Sequence, residues 1–153
     1  TSGCTAEACS LNDGYSSLTE KGFEVVARED TNGTFDSALE AAKKILNKQP
    51  DITAIMCGND QMAVAAKTAL NLAGNDQTVV YSIDGSPDIK KELKKADSQI
   101  AGTVAQSPVN IGKKAVDIAL DILEGKDFEK ETSVDVFMIN KENVEMYGAD
   151  GWQ

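Results

Sequence analysis

Segments with strand-like apolar runs alternate along the chain with segments whose apolar residues recur at helical spacing, and this alternation predicts an α/β layer structure. Runs of β-branched and other apolar residues are typical of strands, and the run at 78–83 is continuous enough for a parallel strand covered on both faces. Between these runs, apolar positions recur at helical spacing. Strands are expected at residues 23–27, 52–57, 78–83, 100–105 and 134–139.

The intervening helices are predicted from apolar stripes, capping residues and stop signals. The expected series is a helix carrying Leu11, Tyr15 and Leu18 and ended by Gly22; one capped by Asp36 or Ser37 and stopped by Pro50; one after Asn59 closed by Gly74; one with Ser86 and Pro87 at its start; one from Pro108 to Glu124; and a short turn at 143–147. The Pro108–Glu124 helix has the widest apolar stripe, so it is expected to be extensively covered.

Charge and composition exclude several functional classes. The 153 residues carry 15 basic and 25 acidic side chains, a net charge of −10, which argues against a nucleic-acid partner. The absence of histidine excludes a Ser-His-Asp triad and every His-ligated zinc site. Cys4, Cys9 and Cys57 form neither a disulfide scaffold nor a CxxC pair, and no GxGxxG or P-loop motif occurs. We therefore expect neither a cofactor nor an enzyme.

Three polar residues stand at the carboxyl ends of predicted strands: Asn59, Asp84 and Gln106. Ligands of open parallel sheets bind in the crevice at these ends. Two amides and a carboxylate supply the donors and acceptors that a polyol needs. The alternative is that Asn59 and Asp84 only cap helices and turns, and Asp60 is better explained as a first-turn acid of its helix than as a ligand group.

Four ordered motifs resemble those of the sugar-binding receptors of bacterial ABC importers, the ribose- and galactose-binding type. Residues 50–63 resemble the signature PDIxAIxxxNDxMA, and residues 83–88 resemble xDGxPD. Residues 103–112 resemble TVAQxPxxIG, and residues 140–144 resemble TxENV. The resemblance implies the three-layer, type I periplasmic binding protein fold with a parallel sheet and flanking helices, and it makes Asn59, Asp84 and Gln106 ligand-contacting positions.

Two positions depart from the family pattern. Members carry a ligand-binding Arg shortly before the Gly-aromatic pair that is Gly14-Tyr15 here, and that position is Leu11. Members also place a stacking aromatic before the helix that begins near Asp36. The nearest candidate for ligand binding is Phe35, two positions out of register, and a hydrophobic staple explains it equally well.

The resemblance further implies that residues 1–153 correspond to the C-terminal lobe of a two-lobed protein. Residues 107–133 would then cross over to pack on an N-terminal lobe that this sequence does not contain. Without that lobe, the apolar stripe of the 108–124 helix would be uncovered, which predicts a partner chain or a swapped dimer. The resemblance also places the first, near-central strand of the lobe before residue 1, so either another segment fills its place in the sheet or further residues precede Thr1 in the molecule.

The expected function is therefore that of a solute receptor, which binds a monosaccharide or similar small polyol between two lobes and delivers it to an ABC permease. Such a receptor is extracytoplasmic, in the periplasm or on the cell surface as a lipoprotein. The alternative is the effector-sensing domain of a lactose-repressor-like transcription regulator, which shares this fold but needs a basic helix-turn-helix that is not present in the sequence.

Overall fold

The computed structural model describes residues 17–152, which fall into two units that meet between Asp30 and Thr31 along the chain. In the first unit, a helical turn at 17–20 ends at Gly22, whose φ is +84°. The N–H of Phe23 donates to the Leu18 carbonyl over 3.0 Å and that of Gly22 to Thr19 over 2.9 Å. This pair of bonds is a Schellman motif, so Gly22 ends the helix as predicted. The positions Leu11 and Tyr15 lie outside the described residues.

The second unit contains a four-stranded sheet and five helices. Its elements follow the order α1 (Phe35–Lys48), β1 (Ala54–Met56), α2 (Asp60–Ala73), β2 (Val79–Asp84), α3 (Pro87–Leu93), β3 (Ile100–Ala105), α4 (Pro108–Leu123), β4 (Phe137–Asn140) and α5 (Val144–Tyr147). The strands are ordered β1-β2-β3-β4 across the sheet. The α/β class predicted from the sequence is confirmed.

The sheet is mixed, with three parallel strands and one antiparallel strand. β1 pairs with β2 and β2 with β3 in parallel, whereas β4 runs antiparallel to β3, with Gly102 opposite Asn140 and Ala105 opposite Phe137. β4 starts three residues later than the predicted strand at 134–139. Its antiparallel direction follows from the chain's return through 124–136, which enters the sheet beside the carboxyl end of β3.

Two sequence predictions near the start of the described chain are wrong. Residues 23–27 carry no strand, since a strand exists only when its backbone groups pair with a neighbour, and no ladder forms at these residues within the described chain. The helix expected to be capped by Asp36 or Ser37 begins at Phe35, so both residues lie inside its first turn. Thr34 occupies the N-cap, and its hydroxyl donates to the Thr31 carbonyl instead of capping.

Small residues allow the helices to approach the sheet closely. On α2, Ala63, Ala66 and Ala69 are buried against the core, together with Leu70. Along β2, the buried Val80 and Ser82 alternate with the exposed Val79 and Tyr81, as expected for a strand with one covered face. The buried strand side chains are Val80, Ser82, Ile100, Thr103, Ala105 and Ile139.

α4 differs from the other long helices because none of its described residues, 108–123, is buried. Its apolar side chains are open to solvent, including Val116 at 59%, Leu120 at 51% and Leu123 at 83% exposure. None of the helices described between residues 17 and 152 has the length and apolar character that crossing a membrane requires.

Candidate functional site

Asn59 lies at the N-cap of α2, directly beyond the end of β1. Its Oδ1 accepts the Met62 backbone N–H over 2.8 Å, and its Nδ2 donates to the Gly33 carbonyl over 3.0 Å. The capping interpretation of Asn59 is therefore correct as a description of the local structure. An amide has two N–H groups and two acceptor sites, so one of each is unused by the hydrogen bonds formed within the described chain.

Asp84 is the last residue of β2 and has an unusual backbone conformation. Its φ is +124°, a region that L-residues rarely adopt, and such strain costs about 1–3 kcal/mol. The next residue, Gly85, also has a positive φ of +77°, and a Cβ there would lie 2.5 Å from the Ala105 Cβ. The turn after β2 is thus pressed against the end of β3. Strain of this kind is concentrated at functional sites.

Gln106 follows β3 and is joined to Asp84 by two hydrogen bonds. The Gln106 backbone N–H donates to the Asp84 carbonyl over 3.0 Å, and its Nε2 donates to Asp84 Oδ1 over 3.3 Å. Both side chains are half-buried. The structure therefore brings two of the three predicted site residues into direct contact at the carboxyl edge of the sheet.

Asp60, the residue after Asn59, ties the three strand ends together. Its carboxylate is 4% exposed and accepts three hydrogen bonds. Oδ1 accepts from the Ser82 hydroxyl over 2.5 Å and the Thr103 hydroxyl over 2.8 Å, and Oδ2 accepts from the Ser86 backbone N–H over 2.6 Å. Asp60 lies in the first turn of α2, as the sequence predicted. The sequence did not predict its three partners, which lie 22 to 43 residues away along the chain.

The hydrogen bonds of Asp60 also place Asn59 at the same edge of the sheet as Asp84 and Gln106. Asp60 holds Ser82 and Ser86, the residues two before and two after Asp84, and Asn59 is bonded directly to Asp60 through the chain. The three polar residues chosen from strand ends are thus neighbours along one edge. That Asn59, Asp84 and Gln106 contact a ligand stays a prediction.

Phe35 occupies the first position of α1 and is half-buried. A hydrophobic staple uses the residue before the N-cap, and here Thr34 is the N-cap, so the staple interpretation of Phe35 is wrong. The loop just before it contacts the site, because Gly33, with φ +69°, accepts the bond from Asn59. Ligand contact by Phe35 remains a prediction. The Leu11 position lies outside the described residues.

Asn59, Asp84 and Gln106 are each partly exposed to solvent at this edge of the sheet. Two shallow concavities, of about 440 and 550 Å3, lie at the opposite edge of the sheet, where residues such as Thr53, Gln77 and Gln99 precede the strands. Asn59, Asp84 and Gln106 line neither of them.

Cys57, a free cysteine in the described part of the chain, is buried. Burial and, to a smaller extent, the negative charge of Asp60 together raise the pKa of the Cys57 thiol to about 12, so Cys57 is protonated at neutral pH. Among the described residues, no group of three or more Cys, Asp or Glu side chains is arranged to hold a metal ion.

The sequence profile of the family described as "Periplasmic binding protein domain" matches residues 7–127, and the chain belongs to this family. It is 33% identical over 120 residues to the ribose import binding protein of Salmonella typhimurium, covering 78% of this chain and 40% of that protein. With the ribose import binding protein of Bacillus subtilis it shares 34% identity, again covering 78% of this chain, and 38% of that one. The chain thus spans less than half the length of these relatives.

Solved structures of sugar and polyol receptors share the fold. An ABC transporter solute binding protein from Bacillus halodurans with bound myo-inositol is 28% identical, with a TM-score of 0.81 over 90% of this chain and 48% of that one. A periplasmic solute binding protein from Actinobacillus succinogenes with bound D-allose is also 28% identical, with a TM-score of 0.77 over 81% of this chain and 44% of that one. These matches confirm the family and the type I fold inferred from the four motifs, and they lend no support to the transcription-regulator alternative.

Proposed function

We propose that this chain forms one wall of the carbohydrate site of a solute receptor that delivers a monosaccharide or small polyol to an ABC permease. The observation that carries the proposal is the pairing of Gln106 with Asp84 at a strained turn, beside Asn59, on the open edge of the sheet. Relatives named for ribose import, and structures with bound D-allose and myo-inositol, support a polyhydroxylated ligand.

The role proposed is binding without catalysis. Asp84 and the two amides offer acceptors and donors for hydroxyl groups, whereas the Cys57 thiol is protonated. The receptor would act outside the cytoplasm, in the periplasm or at the cell surface, as the periplasmic relatives do. Selection of the closed, ligand-bound form by a permease requires that the ligand bind that form preferentially.

One wall alone binds weakly. A charge-assisted hydrogen bond contributes about 1.5–3 kcal/mol and a neutral one about 0.5–1.5 kcal/mol. Asp84, Asn59 and Gln106 together then supply about 2.5–6 kcal/mol, which corresponds to dissociation constants from roughly 15 mM down to roughly 40 μM. Micromolar binding needs about 8 kcal/mol, so we propose that a second lobe completes the pocket.

α4 is the element proposed to reach that second lobe, as part of the segment 107–133. Its apolar side chains are exposed along its length, and each large one forfeits about 1.5–3 kcal/mol by staying in water. An N-terminal lobe or a second copy of the chain, as in a swapped dimer, would recover that energy.

Sedimentation of the chain tests the role of α4. We expect concentration-dependent association, which Leu120→Asp on α4 reduces. Leu72→Asp is the matched control, since Leu72 on α2 is 69% exposed and lies outside the proposed surface. A monomer at micromolar concentration with α4 well ordered, or equal effects of the two substitutions, would contradict the proposal.

Ligand binding is tested by ligand-observed NMR with ribose, D-allose and myo-inositol. We expect saturation transfer to one or more of these compounds, weakened in Asn59→Ala, Asp84→Ala and Gln106→Ala. Gln77→Ala is the control, because Gln77 lies at the opposite edge of the sheet. Undiminished transfer in all three site variants would return these residues to a purely structural role.

A further inference from the structure

Asp60 is a buried carboxylate that the proposed ligand contacts do not use. It is 4% exposed, so its side chain is turned away from the open edge where a ligand would lie. A buried charge is retained only when it is well paired, and Asp60 is paired with three donors from two strands and a helix N-terminus.

The three donors surround the strained turn from both sides. Ser82 and Ser86 stand two residues before and two residues after Asp84, and both donate to the same carboxylate. The Thr103 hydroxyl donates to Asp60 and at the same time accepts the Gly85 backbone N–H over 3.2 Å. Every hydrogen bond of this set fixes a backbone segment next to Asp84.

The same set fixes the neighbouring strand. Thr103 is three residues before Gln106 on β3, so the carboxylate sets the position of both partners of the Asp84–Gln106 pair. A backbone at φ +124° persists only when the surrounding contacts over-determine it. The contacts of Asp60 with Ser82 and Ser86 are among those that surround the Asp84 backbone.

We propose that Asp60 is a positioning residue for ligand binding: its buried carboxylate holds the ends of β2 and β3 so that Asp84 and Gln106 present their polar atoms together at the open edge. This inference rests on the proposed carbohydrate function. Asp60 itself does not touch the ligand.

The test compares Asp60→Asn with Asp88→Asn. Asn has the size of Asp but carries an NH2 donor in place of one carboxylate oxygen. That NH2 would face either the two hydroxyl donors or the backbone N–H donor that now bond to Asp60. Asp88 is also a first-turn acid, of α3, and is exposed, so its substitution makes the same change in net charge without touching the network. Ser82→Ala is a milder second variant, which removes one donor and keeps the chain folded should Asp60→Asn fail to fold.

Two readouts separate positioning from general stability. The first needs no ligand: the side-chain amide resonances of Gln106, and their exchange with water, report its bond to Asp84. We expect them to change in Asp60→Asn, and partly in Ser82→Ala, while Asp88→Asn leaves them as they are. The second is sugar binding, expected to weaken about tenfold in Asp60→Asn, in proportion to a lost charge-assisted hydrogen bond.

A double-mutant comparison decides whether Asp60 acts through Gln106. Because both changes would disable the same contact, Gln106→Ala should weaken sugar binding much less in the Asp60→Asn background than in the unsubstituted chain. Lower stability with unchanged Gln106 amide resonances, or independent effects on binding, would overturn the inference. Changed resonances in a chain that binds none of the three sugars would instead overturn the proposed function and leave the geometric role standing.

Discussion

Replacing Gly85 with Ala tests the close approach that brings Asp84 to Gln106. Gly85 has φ +77°, and its added Cβ would lie 2.5 Å from the Ala105 Cβ and 2.9 Å from its Cα. Carbon atoms pack best at about 3.5–4.0 Å. Since one of the two contacts is with backbone, the clash is relieved only by moving the ends of β2 and β3 apart.

The expected loss of stability has two parts. A left-handed backbone costs a residue with a Cβ about 1–2 kcal/mol, and overpacking in a tight site costs about 1–3 kcal/mol more. Gly85→Ala should therefore lower the free energy of unfolding by about 2–5 kcal/mol, a large share of the roughly 5–15 kcal/mol that holds a native domain together.

Gly74→Ala is the matched control. Gly74 follows α2 with a similar φ of +67°, and its added Cβ would meet no atom within 4 Å. This variant should lose only the conformational part, about 1–2 kcal/mol. Urea unfolding followed by circular dichroism measures both variants against the unsubstituted chain. Equal losses would refute the close contact between the Asp84–Gly85 turn and the end of β3.

Three further predictions concern groups outside the site. Glu92→Gln should cost about 1–2 kcal/mol at neutral pH: burial raises the pKa of this carboxyl, but the hydrogen bonds and charges of Lys67 and Lys95 more than offset it and hold the pKa below its ordinary 4.5. The contribution is therefore fully present above about pH 4.5 and is lost as the pH falls through the folded pKa, so urea midpoints of the variant and the parent that differ equally at all pH values would contradict it. Cys57 should resist alkylation at mildly alkaline pH and react only in urea, because its pKa is raised to about 12. Peptide mass spectrometry measures the labelling of each cysteine, and labelling of Cys57 in the folded chain would refute its burial. Gly112→Ala, in open space on α4, should raise the unfolding free energy by about 0.5–1 kcal/mol in the same urea assay, and a loss would contradict its place inside an exposed helix.

The class of fold and the strand-end residues were predictable because both depend on local pattern. Period and turn residues mark where parallel strands end, and polar residues at those ends converge by geometry. This is why the sequence alone predicts that Asn59, Asp84 and Gln106 share one edge of the sheet. Gly22 and Ser86 were equally readable, since a C-terminal glycine and a serine N-cap act within one helical turn.

The remaining features depend on tertiary contacts. Asp60 looks like any first-turn acid until Ser82 and Thr103, 22 and 43 residues away, are folded against it. The antiparallel direction of β4 is set by the route of the chain after α4. The expected strand at 23–27 shows the converse, because apolar and β-branched residues do not make a strand where no ladder forms.

Asn59 and Gln106 are proposed to face a sugar at the carboxyl edge of the sheet. Resolved 15N side-chain amide spectra of the chain, titrated with D-allose, myo-inositol and ribose into the millimolar range and beyond, test it directly. We predict that the amide signals of Asn59 and Gln106 shift with a common binding curve, while that of Gln77 at the opposite edge stays in place. Signals of Asn59 and Gln106 that stay fixed with all three compounds, or a shift confined to Gln77 and its neighbours, would contradict the account.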